Sequence, residues 1–288
     1  MKDLLDCCTF AATQVSFAVV WCKKGWHPRG MPRLRIVTYN IAHGRGLAPM
    51  QGLAPRWRIR QRLDKIAKLL EGLRPDVVAL QEIDQCSRWA GNIDQLEYLR
   101  EAGGFGHAVF GITNRRAGLI NLCYGNAILS RHPILTSESV AFGSRRVGEK
   151  GFLFAEIEAH QRRVPVVNLH LHYRSRVHRF RQAEQFLTWL SEQHRLRRAH
   201  WALPPVVCGD FNNSAAKADA TAALHRRLSV HGVYTLHPEN GERTFPSPLP
   251  GRALDFIMLP PGCHHQRSEV VRSLLSDHRP VLVDFELD

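Results

Sequence analysis

Four apolar runs in this chain stop at a polar residue: Ile36 to Asn40, Val77 to Glu82, Val164 to His170 and Val206 to Asp210. Runs of β-branched residues that stay apolar at consecutive positions read as buried strands. Buried strands ordinarily end in turn formers, and one Asp or Asn at such an end signals little. Here Ser276-Asp277-His278, just ahead of the strand-like Pro280 to Leu287, adds a fifth polar end suited to metal or phosphate chemistry. Gly209-Asp210-Phe211-Asn212 is the most informative of the five, because it leaves a carboxylate and an amide where a buried strand ends.

Around these ends the periodicity predicts alternating strands and helices. Leu34, Ile36 and Thr38 alternate into a strand, and the Gly- and Pro-bearing loop from His43 to Pro55 follows it. Ile59, Leu63, Ile66 and Leu70 give a helical stripe closed by Gly72 and Pro75. Further strands are expected at 76–82, 127–130, 152–158, 164–171, 206–210, 253–259 and 281–286. Helices are expected at Ile93 to Ala102 and along Phe180, Ala183, Leu187 and Leu190. The set fits an α/β sandwich of two sheets flanked by helices, though periodicity alone does not separate it from a doubly wound sheet.

The chain has 288 residues and no Gly/Ser-rich linker or evident internal repeat, so residues 31–288 read as one domain behind a short extension, 1–30. That extension is apolar from Cys7 to Cys22, which is short for a membrane span, and Met1 to Asp6 carries two Asp where a secretory signal is basic. It reads as dispensable, with Met31 as a candidate initiator. Seven cysteines without a Cys-x-x-Cys pair favour a reducing, cytoplasmic setting. A formal net charge of +13 points to a polyanionic partner, nucleic acid first and an anionic lipid surface second, and no protein partner is inferable. Between Ser144 and His200 twelve Lys or Arg stand against five Glu, with six histidines interleaved.

Taken in order, Thr38-Tyr39-Asn40-Ile41, Pro75 to Glu82, Gly125 to Ser130, Asn168 to Leu171, Gly209 to Asn212, Arg252 to Asp255 and Ser276 to His278 make a specific set. The set resembles the endonuclease/exonuclease/phosphatase superfamily, the metal-dependent phosphoesterases related to deoxyribonuclease I and exonuclease III. Arg243 to Ser247 and Asp94-Gln95 resemble its small bacterial-type members. The resemblance runs from Leu34 to Leu287 and implies a four-layer α/β sandwich, two mixed β-sheets flanked by helices.

Phosphodiester hydrolysis needs charge neutralisation on the nonbridging oxygens, an activated water and help for the leaving oxygen. Glu82 and the neutral carbonyl of Asn40 are hard oxygen donors suited to magnesium or manganese, with Asp277 completing or relaying the shell. The resemblance implies the remaining roles. His278 would contact phosphate or act as general base, oriented by Asp255; Asp210 would align or deprotonate water; Asn212 would donate its amide to phosphate; His170 would stabilise charge or protonate the leaving oxygen. Leu169 stands where the family often has Thr, and His172, Tyr173 and Asn126 are further candidates for the cleft. The expected function is a metal-dependent nuclease or phosphodiesterase. The alternatives are a lipid or inositol phosphate phosphoesterase and a catalytically silent adaptor. A P-loop enzyme and a nucleophilic Ser or Cys hydrolase are disfavoured because neither Gly-x-x-x-x-Gly-Lys-Ser/Thr nor Gly-x-Ser-x-Gly occurs.

Overall fold

A computed structural model describes residues 32–118, 121–143, 149–215, 218–239 and 241–288, so the expectations for residues 1–30 and Met31 lie outside the described residues. The continuous apolar runs become strands with two buried faces. On β1 (Arg33–Asn40), Leu34 and Ile36 face one core while Val37 and Tyr39 face another. β2 (Val77–Asp84) divides Val77 and Ala79 from Val78 and Leu80 in the same way.

The remaining strands are β3 (His107–Arg116), β4 (Leu122–Ser130), β5 (Ile134–Ala141), β6 (Gly151–Ala159), β7 (Arg162–His170), β8 (Val206–Asp210), β9 (Thr235–His237), β10 (Asp255–Leu259), β11 (Cys263–Val270) and β12 (Val281–Leu287). They form two six-stranded sheets, ordered β11-β12-β1-β2-β4-β3 and β5-β6-β7-β8-β10-β9. In each sheet the central pair is parallel, β1 with β2 and β7 with β8, and the other pairs are antiparallel. The two sheets therefore share one pattern of strand orientations, although the sequence shows no repeat.

Three apolar cores separate four layers, as expected. The sheets meet face to face through residues such as Ile36, Leu153, Val206 and Phe285. Helices α1 (Arg56–Leu73) and α2 (Gln95–Ala102) cover the first sheet, and Ile59, Leu63, Ile66 and Leu70 of α1 are buried as their spacing predicts. Helices α3 (Arg176–Arg197) and α4 (Ala220–Leu228) cover the second through Phe186, Leu190 and Leu224. Fully burying each such side chain contributes on the order of 2 kcal/mol. Two helical expectations are corrected. The Asp94 carboxylate caps α2 by accepting from the Glu97 N–H, so the helix begins after it and not at Ile93. On α3 the core stripe runs through Ala183, Phe186 and Leu190, while Phe180 stays half-buried with the Arg176 guanidinium 5.0 Å above its ring. Strands β3, β5, β9 and β11 and helix α4 were not anticipated. Among the described residues no helix is long and apolar enough to cross a membrane.

Polar side chains register the two sheets across the central core. Asn168 of β7 donates its amide to the carbonyls of Leu80 at 2.8 Å and Ala127 at 2.9 Å in the facing sheet, and its oxygen accepts from Gln81 Nε2 at 2.8 Å. Asn126 of β4 crosses the other way, donating to the carbonyls of Gly151 and Asn168 at 3.1 and 3.2 Å. Because buried polar groups left unpaired cost ~1–3 kcal/mol each, Asn168→Ala should lose about 3 kcal/mol or more with an unchanged denaturant slope. Urea unfolding checks this, and a loss under about 1 kcal/mol would remove the clasp from the account.

Within the first sheet, Arg35 and Asp284 are direct cross-strand partners, joined at 2.6 and 2.8 Å, and Arg33 adds a third contact at 2.8 Å. Burial alone would raise the Asp284 carboxyl, but Arg35 and then Arg33 outweigh it and hold it below its ordinary value. A depressed folded-state pKa contributes stability that is complete above the ordinary carboxyl range and is lost as pH falls through the folded value. The stability gap between wild type and Asp284→Asn should thus be widest at neutral pH and close in acid; a gap that is constant with pH in chemical unfolding would contradict it.

Candidate active site

The central parallel pair of each sheet ends on the same rim. Asn40 and Glu82 arrive from β1 and β2, and His170 and Asp210 from β7 and β8. Asp210 is the hub. Its Oδ2 accepts from Asn40 Nδ2 at 3.0 Å and lies 3.4 Å from His170 Nε2 and 3.8 Å from His278 Nε2, while Oδ1 accepts the Asn212 N–H at 2.9 Å. Asp255 opens β10 opposite Asp210 in register, and its Oδ2 lies 2.8 Å from His278 Nδ1. Thr244 donates its hydroxyl to the same carboxylate, and Phe245 meets the His278 ring at a centroid distance of 4.8 Å. The loop carrying His278 is fastened by Ser276, whose hydroxyl donates to the Asn40 carbonyl at 2.7 Å, and by Ser247, whose N–H donates to the Asp277 carbonyl at 2.7 Å.

Two backbone features explain why these residue types stand here. Gly209 has φ +142°, and a Cβ there would sit 1.8 Å from the Leu169 carbonyl oxygen, so only glycine allows β8 to approach β7 this closely ahead of Asp210. Glu82 occupies a left-handed conformation, φ 51°, at the bulge where the pairing of β2 with β4 shifts between Leu80 and Ile83. A non-glycine residue held there is strained, and bulges re-aim side chains at functional rims.

Around Glu82 lie three residues that the sequence reading did not single out. Lys150 Nζ donates to Glu82 Oε1 at 3.0 Å. His43 Nε2 lies 3.6 Å from Glu82 Oε2, and His43 Nδ1 is 2.6 Å from Asp84 Oδ2. Asp84 is fully buried and also accepts from Trp89 Nε1 at 2.9 Å. Trp89 and Tyr124 pack on the His43 ring at 5.2 and 5.1 Å. The available signals were slight: an acid two residues beyond Glu82 inside a strand, and a Lys ahead of β6.

Other expected residues are placed differently. The Asp277 carboxylate pairs with Arg45 and accepts from the Ser276 hydroxyl at 3.3 Å; among the described residues no contact joins it to Glu82 or Asn40. Asn212 Nδ2 donates to the Leu171 carbonyl at 2.8 Å, which leaves its other N–H for a ligand. Asn126 belongs to the inter-sheet clasp. His172 Nδ1 accepts the N–H groups of Arg174 and Ser175, each at 3.1 Å, and so shapes a turn. Leu169 points into the core under α3 and α4, so the absence of a threonine hydroxyl there takes nothing from the rim.

The charges are set by proximity. Burial alone would lift the Glu82 carboxyl, but Lys150 and then His43 outweigh it and hold it well below the usual range. Burial would likewise lift Asp210, yet His278 and His170 bring it down to about 2. Burial opposes protonation of His278, but Asp255 and Asp210 prevail and raise it to about 10. His170 is lowered by burial and Lys150 against the pull of Asp210, so it is neutral at pH 7 with a buried Nε2 that makes no hydrogen bond.

Ligand atoms of Asp210, Asp255 and His278 lie within 4.8 Å of one another, which is close enough for an ion. Both ring nitrogens of His278 already face carboxylates, however, Nδ1 toward Asp255 at 2.8 Å and Nε2 toward Asp210 at 3.8 Å, so the ring is held between two acids. The better fit to a small hard dication is Glu82 with Asn40. Glu82 is an ionised carboxylate already facing an ammonium, and Asn40 Oδ1 accepts one N–H, from Ala42 at 3.0 Å, leaving a lone pair free.

No curated protein matches the chain significantly. Solved structures of the same fold include a mannosyl-6-phosphatase of Bacteroides thetaiotaomicron, 20% identical over 88% of this chain and 99% of that one, with a TM-score of 0.65. Sphingomyelinase C of Streptomyces griseocarneus is 20% identical over 88% and 99%, TM-score 0.64. TDP2 of Caenorhabditis elegans is 16% identical over 88% and 74%, TM-score 0.58. These likenesses carry the fold. The sequence profile of the Endonuclease/Exonuclease/phosphatase family, hydrolases acting on phosphoesters, matches residues 37–278, a span that holds every side chain of the rim, and the chain belongs to that family.

Proposed function

We propose that this protein is a magnesium- or manganese-dependent phosphodiesterase whose substrate is nucleic acid. The observation that supports it best is the meeting of Asp210, His278 and Asp255 with Glu82 and Asn40 across two sheets, where a buried ring held between two acids and hard oxygen donors share one rim. Glu82 and Asn40 would hold the metal, which supplies Lewis-acid neutralisation of phosphate charge when bound. The reading gives the protein's own groups distinct tasks. Asp210, ionised and fixed through both oxygens, orients the attacking water and takes its proton. His278 stays an imidazolium between Asp255 and Asp210 and presents its Nε2 proton to a nonbridging oxygen. Neutral His170, whose Nε2 lies 3.4 Å from Asp210 Oδ2, faces the leaving oxygen, and Asn212 offers its remaining N–H. A silent adaptor would lack one of these groups, and the set is complete. Nucleic acid leads the substrate classes through the net charge of +13.

Two expectations test this reading. With magnesium or manganese the protein should cleave bis-p-nitrophenyl phosphate and nucleic acid in preference to phospholipid, and a chelator should stop it. His278→Ala, Asp210→Asn and Glu82→Gln should each lower kcat by about 10²–10⁴ while melting like wild type. Full activity in these variants would end the proposal. Lys150 makes a sharper case, because one carboxylate serves an ammonium or a dication better than both. Lys150→Met should bind Mn²⁺ more tightly in an electron paramagnetic resonance titration yet turn over about tenfold more slowly, having lost a positive charge at the phosphate. Weaker Mn²⁺ binding with unchanged turnover would reverse the assignment.

A further inference from the structure

Beside the rim lies a cavity of about 740 Å³ whose lining includes Asn212 and Phe256. Four arginines line it against two carboxylates. Arg179 is spent on one of those, Asp219, at 2.6 Å, and the other, Glu239, is 63% exposed and lies 3.6 Å from His237. Among the described residues Arg174, Arg243 and Arg252 have no carboxylate partner. Two of them rest on aromatic rings instead. The Arg174 guanidinium is 5.1 Å from the Tyr173 ring centroid, and that of Arg252 is 4.7 Å from Phe245, the residue that touches His278.

Both platforms are held in place. The Tyr173 ring stacks on His172 at 5.4 Å and 17°, and the His172 ring accepts the N–H groups that follow it. Phe245 and Arg252 exchange backbone hydrogen bonds of 3.0 and 2.9 Å. Guanidinium forks match phosphate oxygens and are weakly hydrated, and an exposed aromatic ring offers any unpaired base a stacking face. A paired base has its faces covered, so this combination suits an unpaired strand. A lipid surface, by contrast, calls for an exposed apolar patch, and the exposed ring here, Tyr173, is overlaid by a cation.

Resting on the phosphodiesterase reading above, we infer that this cavity is the subsite for the nucleotide next to the scissile phosphate in a single-stranded nucleic acid, with its phosphate among Arg174, Arg243 and Arg252 and its base against the Tyr173 side chain and the guanidinium plane that overlies it. The test is fluorescence anisotropy of a fluorescein-labelled phosphorothioate hexathymidylate with EDTA present, at several salt concentrations. Arg174→Ala and Arg252→Ala should each weaken binding about tenfold and reduce the slope of log Kd against log salt by ~0.7. Tyr173→Ala should weaken binding about fivefold or more with an unchanged slope, which separates stacking from charge, and Arg60→Ala on α1 should match wild type. Binding unchanged in the two cavity arginine variants, or equal losses in Arg60→Ala, would overturn the subsite. So would tighter binding to phosphatidylserine vesicles than to the hexamer. Hydrolysis of bis-p-nitrophenyl phosphate, which has no second phosphate, keeps the two readings apart. Metal-dependent cleavage by wild type together with indifferent arginine variants removes the subsite alone, whereas no cleavage removes the phosphodiesterase reading and the subsite with it.

Discussion

The Asp210 carboxylate, 1% exposed, is the charge around which the molecule is organised. An ion taken from water costs several kcal/mol unless partners replace its hydration, and no single element supplies them here. Asn40 reaches it from the first sheet, His170 and the Asn212 N–H from the second, and His278 from the loop ahead of β12. Folding and the assembly of the rim are therefore one event: the anion is tolerable only where the sheets face each other in this register, and the Asn168 clasp specifies that register.

The two sheets contribute unequally to a shared design. Each ends its central parallel pair on the common rim, which brings four strand ends within reach of one another without a long loop. One pair supplies oxygen donors, Asn40 and Glu82, and the other a histidine and an acid, His170 and Asp210. Left-handed backbone occurs on both sides of the rim, at Glu82 and at His43, whose φ is 57°, on the oxygen side and at Asn212, φ 56°, just past β8. The buried Asp84 fixes His43, and the Trp89 indole fixes Asp84 in turn. This arrangement makes the strained carboxylate the end of a packed column, with little freedom to relax.

What was legible in the sequence follows from burial. The strands read correctly, β1, β2, β4, β6, β7, β8, β10 and β12, are the inner strands of both sheets, and their apolar runs reflect cover on two faces. The four missed strands, β3, β5, β9 and β11, are the four sheet edges. On β5, half-buried and exposed residues alternate along Ile134 to Val140, so no apolar run marks it. Strand-end residues of the rim were visible because polarity broke a run. His43 and Lys150 lie outside strands, and Asp84 hides at a strand end already claimed by Glu82, so their roles emerge only from distances. Leu169 shows the opposite case, a departure from the family pattern that matters little because alternation turns it away from the rim.

Pairing of β1 with β12 also brings the two ends of the described domain together: Arg33 faces Glu286, and the Leu287 N–H donates to the Pro32 carbonyl at 2.9 Å. Both ends sit one strand length, roughly 25 Å, from Asn40 and the rim. The tight turn at His160-Gln161, both left-handed, joins β6 to β7 at the end of β7 away from His170. Residues 32–288 are thus suited to circular permutation, since a short linker from residue 288 to residue 32 and an opening at that turn leave the candidate site's rim free of termini.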